Sequence, residues 1–194
     1  MMKFFKFISP WRDKKIRAFT LVETLVAISI FSISVVAVMS VLASGISYTN
    51  YAKKKMIASF LAQEGIEYMR NMRDTYILYT ETTGNNWDKF KIQFNSCNDP
   101  SLGNACGFTK PLPFDVSTCP SLKGCILYID DGSYRSYPNS STVSIDSGFV
   151  REIWMTVIPT IPAGYQVKIF SKVEWTQGSG AKSVTFSENL FNLE

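Results

Sequence analysis

A chain of 194 residues, 46% hydrophobic and 19% charged, has room for one ordinary domain and an apolar anchor. Its complete lack of histidine excludes Ser/His and Cys/His nucleophilic catalysis and histidine metal sites. The formal charge of +4 does not mark a nucleic-acid binder. Residues 1–18 hold six basic groups against Asp13, a local +5, which leaves 14 basic and 15 acidic groups, a net −1, for residues 19–194.

The basic groups Lys3, Lys6, Arg12, Lys14, Lys15 and Arg17 stand directly before an apolar run, Ala18–Gly45. From Leu25 to Ala43 nineteen residues pass without a charge. At ~1.5 Å per residue they span roughly 28 Å, about the thickness of a bilayer core. Ser29, Ser32, Ser34 and Ser40 interrupt the run, but their hydroxyls can return to helix carbonyls. One membrane-spanning helix is predicted. Cations before it outnumber Lys53, Lys54 and Lys55 after it, which orients the N-terminus to the cytoplasm. Phe4, Phe5, Phe7 and Ile8, interrupted by Lys6, are too few for the apolar core of a secretory signal. Taken alone, these residues fit a removable leader and an uncleaved cytoplasmic tail equally well. Thr20-Leu21-Val22-Glu23 has the spacing of a capping box, which gives the single acid Glu23 a local role at a helix start.

The run Arg17-Ala18, Phe19-Thr20-Leu21-Val22-Glu23, Thr24-Leu25-Val26-Ala27 resembles the type IV prepilin signature of pilins and type II secretion pseudopilins. The resemblance implies that prepilin peptidase removes a leader, residues 1–18, between Ala18 and Phe19. It implies that Phe19 is then N-methylated and that residues 19–45 stay as the transmembrane and filament-core helix. That family usually has Gly before the cut; here the residue is Ala18, which is also small. Glu23, by the same resemblance, is an assembly residue that pairs with the Phe19 amine of a neighbouring subunit. The implied partners are other pilin subunits, prepilin peptidase and the membrane's filament-assembly machinery, with no direct nucleic-acid contact and no cofactor. The implied role is structural rather than enzymatic: a subunit first anchored in the cytoplasmic membrane, then carried in a cell-surface filament. The alternative class is a single-pass, membrane-anchored extracytoplasmic binding protein that never polymerises.

Beyond Gly45 the helix is expected to continue through residues 46–74, reaching from Thr20 to Asp74, with Ser44-Gly45 its weakest point. Ile57, Leu61, Gly65 or Glu64, Tyr68 and Met72 supply an apolar stripe that Phe60 widens, and Lys53–Lys55, Glu67, Arg70 and Arg73 a wet face. Residues 75–194 form the expected head. Tyr76–Tyr79 reads as helix end or short strand, and Gly84-Asn85-Asn86 as a break. Lys89-Phe90-Lys91-Ile92-Gln93-Phe94 alternates as a half-buried strand does. Residues 95–125 are otherwise a loop region carrying all four cysteines. Cysteines clustered beyond a membrane anchor indicate an oxidising compartment and disulfides. Of three possible pairings, the sequential one, Cys97–Cys106 with Cys119–Cys125, closes two short loops and is preferred. Zinc is the competing use of four cysteines, although the sequence has neither a CxxC knuckle nor histidine.

After Gly124 the pattern becomes β. Cys125–Ile129, Asp130-Asp131-Gly132 and Tyr134–Tyr137 read as a hairpin, with the paired acids as turn chemistry. Phe149–Ile158 is a strong strand before Pro159. Gln166–Trp175 sets Val167, Ile169, Ser171, Val173 and Trp175 on one face, and Gly178-Ser179-Gly180 turns the chain into Ser183–Leu190. Strands following one long helix predict an α+β class with an antiparallel sheet, the pilin-like head that the resemblance also implies. The Val173-Glu174-Trp175 element and the terminal Asn189–Leu193 look like the last strands of minor pilins of the PilV type. Asn139-Ser140-Ser141 fits a glycosylation sequon.

Overall fold

The computed structural model describes residues 19–79, 85–98, 104–110, 115–119, 125–130, 133–135, 145–159, 166–178 and 180–192. The basic segment, Ala18, Asp131-Gly132 and the Asn139 sequon lie outside them. The chain divides into two compact units, Met1–Tyr48 and Thr49–Glu194. A helix, α1 (Leu21–Tyr79), supplies residues to both, and a second helix, α2 (Asn86–Gln93), follows. The strands are β1 (Cys106–Lys110), β2 (Asp115–Thr118), β3 (Ile126–Asp130), β4 (Ser133–Arg135), β5 (Ile145–Ile158), β6 (Gln166–Gln177) and β7 (Gly180–Phe191). One long N-terminal helix with a C-terminal antiparallel sheet is the α+β arrangement that the sequence predicts.

Helix α1 starts at Thr20, whose Oγ1 accepts the Glu23 N–H at 3.3 Å, and it runs without a break through Ser44-Gly45. It ends later than predicted. Tyr76–Tyr79 is helical, with the Tyr76 ring 6.4 Å from that of Phe90. The apolar stripe is also rotated from the predicted one. Ala58, Leu61, Ala62, Gly65, Ile66, Met69 and Met72 are buried, whereas Phe60 is 63% exposed. Arg73, assigned to the wet face, is largely covered and pairs with Asp74 at 2.6 Å.

The predicted strand at Lys89–Phe94 is instead α2. Asn85 caps it, its side chain accepting the Asp88 N–H at 3.2 Å, and Lys91 pairs with Asp88 one turn back. Trp87, Phe90 and Phe94 recur at helical spacing and are all buried, while Ile92, which alternation would place beside them, is 71% exposed. Three large aromatics on one helix face bury more surface than the alternating set could, so the 3.6-residue period wins. Residues 106–110 and 115–118 add a strand pair, β1 with β2, where only loop is predicted.

Strand β5 is the centre of the sheet. It pairs with β6 from Phe149↔Trp175 to Ile158↔Gln166, and on its other edge with β3 at one end and β1 at Ile153↔Cys106. Strands β3 and β4 form the predicted hairpin, and β6 and β7 pair as far as Gln177↔Gly180, with Gly178 at φ +60°. On the face towards α1, Val167, Ile169, Ser171, Val173 and Trp175 are buried, as the alternation predicts. They join two core clusters, one with Met69, Met72 and the α2 aromatics, the other with Ala58, Leu61 and Ala62.

Small residues set the helix-to-sheet spacing. A Cβ added at Gly65 would run into Ser171 Oγ and lie 3.0 Å from Ser171 Cβ and 3.4 Å from Ile153 Cδ1. Alanine at an exposed helix position gains up to ~1 kcal/mol over glycine. Here the overlap outweighs that gain, and Gly65→Ala should destabilise the head by about 1–3 kcal/mol. Adding Ser171→Gly should recover part of the loss. Urea titration of the full chain in detergent, followed by tryptophan fluorescence, measures both.

Candidate functional site

In the first unit the described residues place nearly every large apolar side chain in the open. Leu21, Val22, Ile28, Ile30 and Phe31 are spread around the whole circumference of α1, and each is more than half exposed. A helix that is apolar on all sides needs an apolar surround. Among the described residues it is the one helix long and apolar enough to cross a membrane. Four of its serine hydroxyls are internally satisfied. Ser29, Ser32 and Ser34 donate to the carbonyls of Leu25, Ile28 and Ile30 at 2.8 Å, and Ser44 donates to Ser40 at 3.0 Å. The serines therefore leave no hydroxyl seeking water at those positions.

One charge stands in this surface. Glu23 is the only Asp, Glu, Lys or Arg from Phe19 to Ala52, sits in the first helical turn and is exposed. Phe19, just before the helix, is 71% exposed. Thr20 caps the Glu23 N–H, so the helix start is held whether or not the carboxylate takes part. That leaves the Glu23 oxygens available to a group from outside the chain.

Residues 13–39 match the prokaryotic N-terminal methylation motif. This methylation motif spans Ala18, Phe19 and Glu23, begins in the basic segment and ends at Met39 within α1. It supports a structural subunit of the type IV pilin or pseudopilin kind, which implies association with other pilins and with prepilin peptidase. The motif and the apolar helix together fit a membrane anchor and a pilus. No curated protein and no solved structure matches the chain.

The cysteines lie in the second unit, joined as Cys97–Cys106 and Cys119–Cys125. Their backbones are registered on β5. The Cys97 carbonyl accepts the Met155 N–H at 2.9 Å, the Cys125 carbonyl accepts the Arg151 N–H at 2.9 Å, and Cys106 pairs with Ile153. The cysteine-bearing segments thus attach at three alternate residues of one strand edge. Gly107 permits it, since a Cβ there would run into Cys125 Sγ.

Arg151 is the organising residue that the sequence reading misses. It is 3% exposed and shares the inward face of β5 with Phe149, Ile153 and Met155. Its Nη1 donates to the Leu61 carbonyl at 3.1 Å and to Glu64 Oε2 at 2.7 Å, and its guanidinium lies 4.7 Å from the centre of the Phe108 ring, itself stacked on Tyr68. Burial pushes its pKa below the ordinary arginine value, opposed by the Glu64 carboxylate. The detectable signal was parity, because an arginine in a buried alternate row needs an anion from the facing helix.

Both bridges close short loops, nine and six residues apart in sequence, and each should constrain the unfolded chain by about 2–3 kcal/mol on the loop-entropy account. Alkylation of the unfolded, unreduced protein should label no cysteine, and labelling after reduction should add four groups. Peptide mapping of the unreduced protein should recover 97 joined to 106 and 119 joined to 125.

Proposed function

We propose that the chain is a minor pilin or pseudopilin of a type IV pilus-like filament, made as a precursor and polymerised through α1. The observation that carries this reading is the methylation motif over residues 13–39, standing on a helix whose large apolar side chains before Tyr48 are exposed among the described residues. The basic segment lies in the cytoplasm, where prepilin peptidase cuts between Ala18 and Phe19. The new Phe19 amine is methylated, and the sheet-bearing unit is extracytoplasmic, in agreement with a cysteine-containing head in an oxidising compartment.

Glu23 then has its reason. An unpaired carboxylate in an apolar surround is costly, and so is an unpaired terminal amine. When α1 packs beside α1 of another subunit, the Phe19 amine of one chain neutralises Glu23 of the next. The pair rewards one axial stagger over others and so fixes register during growth. The capping bond between Thr20 and Glu23 N–H is separate, since it uses the backbone and not the carboxylate.

Two measurements test the proposal. Intact mass of membrane-extracted protein should show loss of the first eighteen residues and gain of one methyl group on Phe19; retention of Met1 or Met2 in filaments overturns the cleavage. Glu23→Leu keeps a helix-favouring apolar side chain, so it should insert, be cleaved and fold its head. It should nevertheless be depleted from sheared filaments at least tenfold relative to total membrane protein, the factor expected for loss of ~1.4 kcal/mol or more. Incorporation at the native level would leave Glu23 with no role in assembly.

A further inference from the structure

We propose that the outer edge of β7 is an interface that pairs, antiparallel and about a two-fold centred on Thr185, with β7 of a second copy of this chain. Strand β7 is twelve residues long, contains no proline, and among the described residues pairs only with β6. Its middle, Ser183–Ser187, is uncharged. A long uncharged edge of this kind is a template for another strand.

The turn fixes which groups the edge offers. Gln177 and Gly180 close a two-residue hairpin, and the closing pair of such a hairpin is hydrogen-bonded. Counting along β7, even-numbered residues direct their N–H and C=O groups to β6, and Ala181, Ser183, Thr185, Ser187 and Asn189 direct theirs to the outer edge. An antiparallel copy must therefore match odd residues with odd residues, so its two-fold lies on a residue and not between two.

Centring on Thr185 is the choice that also satisfies the side chains. It places Lys182 opposite Glu188 of the second copy, and Glu188 opposite Lys182, on the even rows where opposed side chains come closest. It places Val184 opposite Phe186, an aliphatic–aromatic pair, and Ser183 opposite Ser187 with Thr185 facing its own copy. A centre at Val184 or Phe186 shifts the register by two residues, setting Lys182 opposite Phe186 or Leu190. One at Ser183 or Ser187 shifts it by four, and each of these unmakes both charge pairs. Glu188 already accepts Arg70 at 2.7 Å, and its carboxylate, a third exposed, has room for an ammonium as well.

Such a two-fold is normal to the sheet, so the Ala58–Met72 segments packed on the same face of each sheet run in opposite directions. Subunits in one filament share a direction. Given the function proposed above, which this one consequence presumes, the contact joins neighbouring filaments of opposite polarity.

Cross-linking of the full chain in detergent tests the interface without any need for processing or polymerisation, so its outcome is independent of the pilin reading. With the native cysteines bridged, Thr185→Cys should be captured as a covalent dimer by a short bis-maleimide, because its copy is ~5.5 Å away. Asn189→Cys should not, since eight residues of register put its copy roughly 26 Å off. Lys182→Glu in the Thr185→Cys chain, which sets like charges opposite each other twice, should lower the dimer yield roughly tenfold. Equal capture at positions 185 and 189, no capture at 185, or a yield indifferent to Lys182→Glu would each overturn the proposal. Capture of Thr185→Cys only by a different pilin would overturn it too, by giving the edge another occupant.

Discussion

The close approach of α1 to the sheet is the constraint on which the rest of the head depends. Ala58, Ala62 and Gly65 place backbone rather than side chain against Val173, Trp175 and Ser171. With the helix held that near, Met69 and Met72 reach the α2 aromatics, and the Leu61 carbonyl comes within range of Arg151. A larger residue at the contact would lift the helix from all of these groups together. Packing of this kind tolerates volume-conserving change far better than added volume.

The same helix answers to two surroundings, and composition makes the division. Before Tyr48 the apolar side chains go all the way round, and the serines turn their hydroxyls back to the helix. Beyond it, the buried apolar residues lie on one stripe, with Met56 and Phe60 outside it, and Lys53–Lys55, Gln63 and Glu67 are exposed. Arg70, exposed in part, binds both Glu67 and Glu188, the latter raising its pKa above the usual arginine value. Lys54 donates to the Thr176 carbonyl at 3.0 Å, so the first polar turns of the stripe region already hold the end of β6.

How much of this was legible in the sequence depended on how strictly a period was imposed. Strand β6 alternates with one face buried, so which of its side chains face α1 was legible from the pattern alone. The methylation motif was equally legible, since identity and spacing are local. Lys89–Phe94 misled because Phe90 and Phe94 satisfy periods of two and four alike; Trp87 and the Asn85 cap, lying just upstream, break the tie. The stripe on α1 was legible in part: Leu61, Gly65 and Met72 are buried as expected, but Ala58 and Ala62 also mark the buried face and Phe60 lies off it. Strands β1 and β2 had no periodic signal of their own. They are held by pairing to each other and by bridged cysteines on the β5 edge, interactions between residues distant in sequence.

The position of the two disulfides decides how the head would meet mechanical load. A covalent bridge protects only the chain it encloses, and these enclose 97–106 and 119–125. Helix α1 and strands β5, β6 and β7 lie outside both loops. Among the described residues, tension applied to α1 passes into the sheet through side-chain packing, the Arg151 contacts, the Arg70–Glu188 ion pair and the Lys54 hydrogen bond. The helix would peel from the sheet, Ala58 and Gly65 leaving their seats in succession, while both bridges stayed closed. The cysteine-stitched edge would survive that extension as a small covalent island, ready to re-form the β5 register once the force was gone.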